Sequence, residues 1–226
     1  MPSCPVKYLL ILFLAASLVL LCGNRAFSEN EPLDDLIIKV QNLYDRIQDF
    51  RVSFIHKVPV KITGTTLTER GTFYYKKPKR MRWDYSEPPG KLLIVNPDFM
   101  WFYVPEDNRV YIQKTETSLK SHLAVKFLAG LGTLKDDFDV AFAHPSPTDN
   151  QGNYLITLAP KEQTGGIQDL TLTIDRHNYY ITGYRLTDMY GTRNSYFFQD
   201  ITINNNPAEE LFHYDPPPGV KVETLP

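Results

Sequence analysis

At Phe50 the apolar period of this chain changes from about 3.6 residues to two, and that change limits the fold more than any single motif. Before it, Leu33, Leu36, Ile37, Val40, Tyr44, Ile47 and Phe50 recur at three- and four-residue spacing, which predicts one amphipathic helix. Pro32 suits the first turn, and Asp34 and Asp35 lie where the helix dipole favours acids. After it, Phe50, Val52 and Phe54 alternate with Arg51 and Ser53 and predict a strand.

Further strands are expected at Gly71–Lys77, Arg80–Tyr85, Leu92–Val95, Phe99–Val104 and Arg109–Gln113. Pro78, Pro88-Pro89-Gly90, Asn96-Pro97-Asp98 and Pro105 to Asn108 mark turns between them. A second helical island runs from Leu119 to Leu128, with Leu119, Leu123, Phe127 and Leu128 as its stripe and Gly130 and Gly132 at its end. The second half returns to strands at Tyr154–Ala159, Leu170–Asp175, Ile181–Asp188, Ser195–Ile203 and Leu211–Tyr214, followed by an extended Pro216-Pro217-Pro218 tail. The pattern reads as mainly β with α: many antiparallel strands in an incomplete barrel, with the helices plugging or covering it.

The first 28 residues read differently. Lys7 precedes an apolar run from Tyr8 to Leu21, broken only by Ser17, and Ala26-Phe27-Ser28 follows as a small-x-small site. That is the length and layout of a cleaved export signal, leaving residues 29–226 as one domain. Leu21 before Cys22 is a poor lipidation signal, so a lipid-anchored receptor is not expected. Both cysteines, Cys4 and Cys22, would leave with the signal, and with them any disulfide or thiolate site. The remainder carries 22 basic and 26 acidic residues, a mixed −4 that excludes a nucleic-acid reading.

No nucleophile elbow, phosphate loop or metal-ligand spacing is present, so neither an enzyme nor a cofactor is expected. His56, His122, His144, His177 and His213 are scattered and read as surface or turn residues. The acid pairs Asp34-Asp35, Asp136-Asp137 and Glu209-Glu210 read as solvated faces or dipole partners. What stands out is 14 Tyr, 13 Phe and 2 Trp. Phe99, Trp101 and Tyr103 point one way and Met100, Phe102 and Val104 the other, so this strand is apolar on both faces. Apolar stripes are usually core, so pattern alone favours a helix-on-sheet core over a cavity wall. In Lys76 to Tyr85 the side chains alternate: Met81, Trp83 and Tyr85 oppose Arg80, Arg82 and Asp84, and Phe73, Tyr75 and Lys77 share a face. Lys77 would then be a cation at the rim of an apolar surface; the other basic residues could simply be solvated.

The order Gly71-Thr72-Phe73-Tyr74-Tyr75-Lys76-Lys77-Pro78, Met81-Arg82-Trp83-Asp84-Tyr85, Pro88 or Pro89, then Asp98-Phe99-Met100-Trp101-Phe102-Tyr103 resembles the LolA family of outer-membrane lipoprotein carriers. Phe50-Arg51-Val52-Ser53-Phe54 and Pro218-Gly219-Val220-Lys221-Val222 also resemble it. The resemblance implies a half-barrel closed by a helical lid, whose cavity takes lipoprotein acyl chains. It implies a periplasmic carrier that receives cargo from an inner-membrane ABC-type releasing complex and delivers it to an outer-membrane receptor; a monomer suits such a shuttle. Phe73, Tyr75, Met81, Trp83 and Trp101 would line the cavity or its rim. Leu123, Phe127 and Leu128 would fill the cavity when it is empty. Lys77 stands where the family often has an Arg that ties the lid, and a lysine cannot offer that planar fork. Met81 replaces a commonly bulkier residue, and Asn96-Pro97-Asp98-Phe99 lacks the usual Gly. The same fold would also suit a carrier of glycolipid or phospholipid, or a lipoprotein-sensing regulatory domain.

Overall fold

The structure, a computed structural model, describes residues 31–116, 134–162 and 167–225. The expected signal and the island Leu119–Leu128, with Leu123, Phe127 and Leu128, lie outside the described residues.

Helix α1 spans Leu33–Arg46. Its stripe buries Leu36, Ile37 and Val40, while Asp34 and Asp35 occupy the first turn and Arg46 the last, matching the dipole at both ends. The helix stops there: Ile47 and Gln48 make the link, and Asp49 already begins the first strand. Six strands follow: β1 (Asp49–Val60), β2 (Thr65–Lys76), β3 (Arg80–Glu87), β4 (Leu92–Val95), β5 (Phe99–Val104) and β6 (Arg109–Lys114). After a one-turn helix α2 (Leu134–Asp137) come β7 (Phe138–Phe142), β8 (Tyr154–Pro160), β9 (Ile167–Ile174), β10 (Ile181–Asp188), β11 (Arg193–Ile203) and β12 (Lys221–Thr224). They form one sheet in the order β12-β6-β5-β4-β3-β2-β1-β11-β10-β9-β8-β7. The sheet is open, with β12 and β7 as its edges.

Three expectations are corrected. Leu211–Tyr214 is no strand: Glu209–Phe212 forms a 3-10 turn that tucks Phe212 inward, between prolines that supply no ladder donor. β7, whose Phe138, Val140 and Phe142 alternate with Asp139 and Ala141, was not expected. The sheet is not antiparallel throughout, because β12 pairs with β6 in parallel.

Cross-strand partners share a face, so register sorts the side chains. Phe50 opposes Tyr75, and Val52 opposes Phe73. Phe73 and Tyr75 oppose Trp83 and Met81, which oppose Leu93 and Val95. This inner face carries α1. Leu36, Ile37 and Val40 join Leu158, Leu170 and Leu172 of β8 and β9 in one cluster, and Leu43 and Tyr44 pack on a second around Phe73 and Met81. Gly71 is required here: a Cβ on it would lie 2.1 Å from the Asp84 carbonyl oxygen and 2.8 Å from the Phe54 ring.

The outer face holds a third cluster of Ile94, Trp101 and Val110, packed by Tyr214 and Val220 of the C-terminal tail. The basic run ties that tail down rather than standing in solvent. Lys76 and Arg80 pair with Glu209 at 2.8 and 2.7 Å, and Arg82 donates to the Leu211 carbonyl at 2.9 Å.

Candidate functional site

The site is the inner face beneath α1. Phe73 stacks on Trp83 with ring centres 4.1 Å apart and meets Phe50 edge-on at 5.4 Å; Phe50 also lies 5.1 Å from Tyr75. Phe73, Tyr75 and Met81 are fully buried, and Trp83 is half-buried beside them. Register therefore brings four of the expected lining residues together. It does not bring Trp101 to them. Trp101 opposes Ile94, which opposes Arg82 on the outer face, and its ring lies 6.5 Å from that of His213 in the tail. The alternation that made both faces of β5 apolar gives each face its own core.

Lys77 lies at the rim, at the end of β2. Its Nζ donates to the carbonyl oxygens of Tyr44 at 3.1 Å and Asp45 at 2.9 Å. These belong to the last turn of α1, whose carbonyls lack helical partners and favour a cation. A second tie holds the same turn: the Ile181 amide donates to the Tyr44 hydroxyl at 3.0 Å, and burial pushes the pKa of that hydroxyl up. Farther along, Lys39 donates to the Tyr179 hydroxyl at 3.1 Å, and Lys135 pairs with Asp34 at 2.9 Å. α1 is thus fastened by a few polar bonds around an apolar contact.

Between α1 and the sheet a gap is lined by Tyr44, Ile47, Phe50, Val52, Phe73, Tyr180, Ile181, Phe198, Ile201 and Ile203. It contains about 360 Å³ of unfilled space, much of it open to solvent. Its enclosed cavity is only about 20 Å³, room for a single water and far below the roughly 300–1,000 Å³ of organic-ligand pockets, so with α1 in place the gap does not enclose a long chain. Asn96 replaces the missing turn glycine by another device: its side-chain oxygen accepts from the amides of Asp98 and Phe99, both at 2.9 Å.

One histidine was misread. His56 is not a surface or turn residue; it sits on the inner face opposite Glu69 and bonds to it at 2.9 Å. Burial lowers its pKa, against the opposing pull of Glu69. Lys91 completes the group by donating to Glu69 at 2.6 Å. Among the described residues no three His, Cys, Asp or Glu side chains converge as a metal site.

A broad open sheet with one aromatic apolar face under a polar-fastened helix defines the class: an open β-sheet scaffold with a helix packed across its apolar inner face. Comparison with known proteins narrows this. The family described as outer membrane lipoprotein carrier protein LolA matches residues 45–215. The outer-membrane lipoprotein carrier protein of Methylococcus capsulatus is 26% identical over 218 residues, covering 96% of each chain. That of Hahella chejuensis is 25% identical over 186 residues, covering 81% of this chain and 85% of its own. In fold, the chain is similar to an uncharacterized conserved protein from Thermus thermophilus, with a TM-score of 0.53 at 10% identity, covering 85% of this chain and 98% of the other. The chain belongs to the LolA family.

Proposed function

We propose that this protein is a lipoprotein carrier that holds acyl chains against the inner face of the sheet and moves them from the inner to the outer membrane. The observation that carries this is α1, held by a few polar bonds over a continuous aromatic and aliphatic face, as a movable cover would be. Family membership supports the same reading. Segment 1–28 would export the chain to the periplasm and be removed, leaving residues 29–226 as the working domain. There it would take cargo from an inner-membrane ABC-type complex and release it to an outer-membrane receptor. The role is binding, with no reaction catalysed.

Magnitudes favour a cover over a permanent core. Burying Leu36, Ile37 and Val40 stabilises the closed state by about 1.5–3 kcal/mol each. An acyl chain gains about 0.8 kcal/mol per methylene, or on the order of 10 kcal/mol for a long chain. For a single chain, binding and helix displacement are therefore of similar size, and the cost of moving the cover reduces how tightly cargo is held. The cover also keeps the empty face from exposing a large apolar patch. Phe73, Tyr75, Met81 and Trp83 would contact the chains, Lys77 would hold the cover shut, and Leu123, Phe127 and Leu128 would form a second cover.

Native mass spectrometry of the purified protein, with bound material identified after organic extraction, tests this. Acylated lipoprotein is expected. Phospholipid or glycolipid alone would make it a carrier of another lipid. An empty protein that takes up no lipoprotein would contradict the carrier reading.

A further inference from the structure

Along β1 the inner face changes character after Phe54. His56 and Glu69 oppose each other on β1 and β2, with His56 Nδ1 2.9 Å from Glu69 Oε2. Lys91, turned back by the Pro88-Pro89-Gly90 bend, donates to Glu69 Oε1 at 2.6 Å and lies 4.3 Å over the Tyr85 ring. The His56 ring stacks on Tyr196 at 3.9 Å, and Tyr196 stacks on Tyr184 at 4.7 Å. Glu69 is only 6% exposed. An ion pair withdrawn from water at such a place adds little stability over apolar residues of the same size, so stability alone does not account for it.

The group's free valences do point to a use. An ionised Glu69 only accepts, so His56 Nδ1 carries its proton and Nε2 is left as an acceptor. Lys91 has three N–H donors and directs one to Glu69 Oε1. A donor and an acceptor thus stand beside an apolar wall. Two residues from Tyr196 on β11, the buried side-chain oxygen of Asn194 has no hydrogen-bond partner among the described residues.

We propose that His56, Glu69 and Lys91, with the tyrosines stacked around them, form a polar site that receives the amide and ester linkage of an acylated cargo, its chains running from there beneath α1. The inference rests on the carrier reading and adds selectivity to it. Lys91 donates to a linkage carbonyl, His56 Nε2 accepts from an amide N–H or a hydroxyl, and Glu69 fixes both. The apolar face accepts any chain, whereas this site prefers chains attached through carbonyl groups.

The test titrates the full protein with two probes of matched chain length: a synthetic triacylated lipopeptide and a pyrene-labelled alkane without a polar linkage. Lys91→Met should weaken lipopeptide binding roughly tenfold or more while alkane binding stays within about twofold, the loss expected for a charged hydrogen bond. Lys91→Arg should restore most of it. Urea unfolding of each variant checks the fold, and His56→Phe, which keeps the stacking and removes the ring nitrogens, gives a second variant with the same expected selective loss. Equal losses for both probes, or no loss for either, would overturn the site while leaving the carrier reading intact. A wild-type protein that binds neither probe would overturn the carrier reading, and the site with it.

Discussion

The side-chain nitrogen of Lys77 caps the last turn of α1 by donating to the carbonyl of Tyr44, 33 residues earlier in the chain, at 3.1 Å. One strand-ending lysine thereby links the apolar face to its cover. Lys77→Ala should cost about 1–2 kcal/mol, the worth of a charged donor on helix-end carbonyls. It should also speed uptake of an apolar dye. Stopped-flow fluorescence reads the second effect, and unchanged uptake would make Lys77 a structural cap only.

The aromatic face is itself core while empty. Phe73→Ala should destabilise by about 3–5 kcal/mol in urea unfolding, because Phe73 is fully buried between Trp83 and Phe50. A loss under about 1 kcal/mol would mean that this face is loosely packed.

Gly71→Ala should destabilise by about 2 kcal/mol or more, since its methyl would meet backbone at Asp84 as well as the Phe54 ring. The backbone cannot give way as a side-chain tip can. Wild-type stability in this variant would show that β2 and β3 separate locally.

How much of this was legible follows the range of each signal. The α1 stripe and most strands announce themselves by local period, and Lys77 was visible at a rim because alternation places it with Phe73 and Tyr75. Trp101 was assigned to the wrong face because an all-apolar strand carries no polar side to orient it; only its pairing with Ile94 does. Phe212 and the parallel β12 escaped because a proline-rich tail shows no period, and its place is set by Arg80, Arg82 and Trp101, over 100 positions away. The His56–Glu69–Lys91 group joins three distant positions. Only the register of the β1–β2 hairpin, turning at Lys61 to Gly64, brings the first two into opposition.

The tail strap sorts by burial. Glu209→Ala should cost at most about 1 kcal/mol, because its pairs with Lys76 and Arg80 are exposed on the glutamate side. Phe212→Ala should cost about 3 kcal/mol or more, since the ring is 2% exposed. Urea midpoints in reverse order would contradict this ranking.

Stability should fall with acid in two stages. Burial lowers the pKa of His56, so the unfolded chain binds its proton first; the loss begins near the ordinary histidine value of about 6.5 and levels off below the folded value. Burial works to raise the Glu69 pKa, but hydrogen bonds from Lys91 and His56 outweigh it and hold the carboxyl below its ordinary range. Its contribution is present above the unfolded value and lost as pH drops through the folded one. Urea midpoints from about pH 8 to 2 should show both stages, and His56→Gln should remove the upper one. A flat profile would contradict the assignment.

The central claim is that α1 leaves the inner face when cargo arrives. Amide hydrogen exchange across Leu33–Arg46, with and without a triacylated lipopeptide, measures it directly. The account predicts faster exchange in α1 on loading, with β1 and β2 as protected as before. Equal or slower exchange in α1 with cargo bound would contradict it.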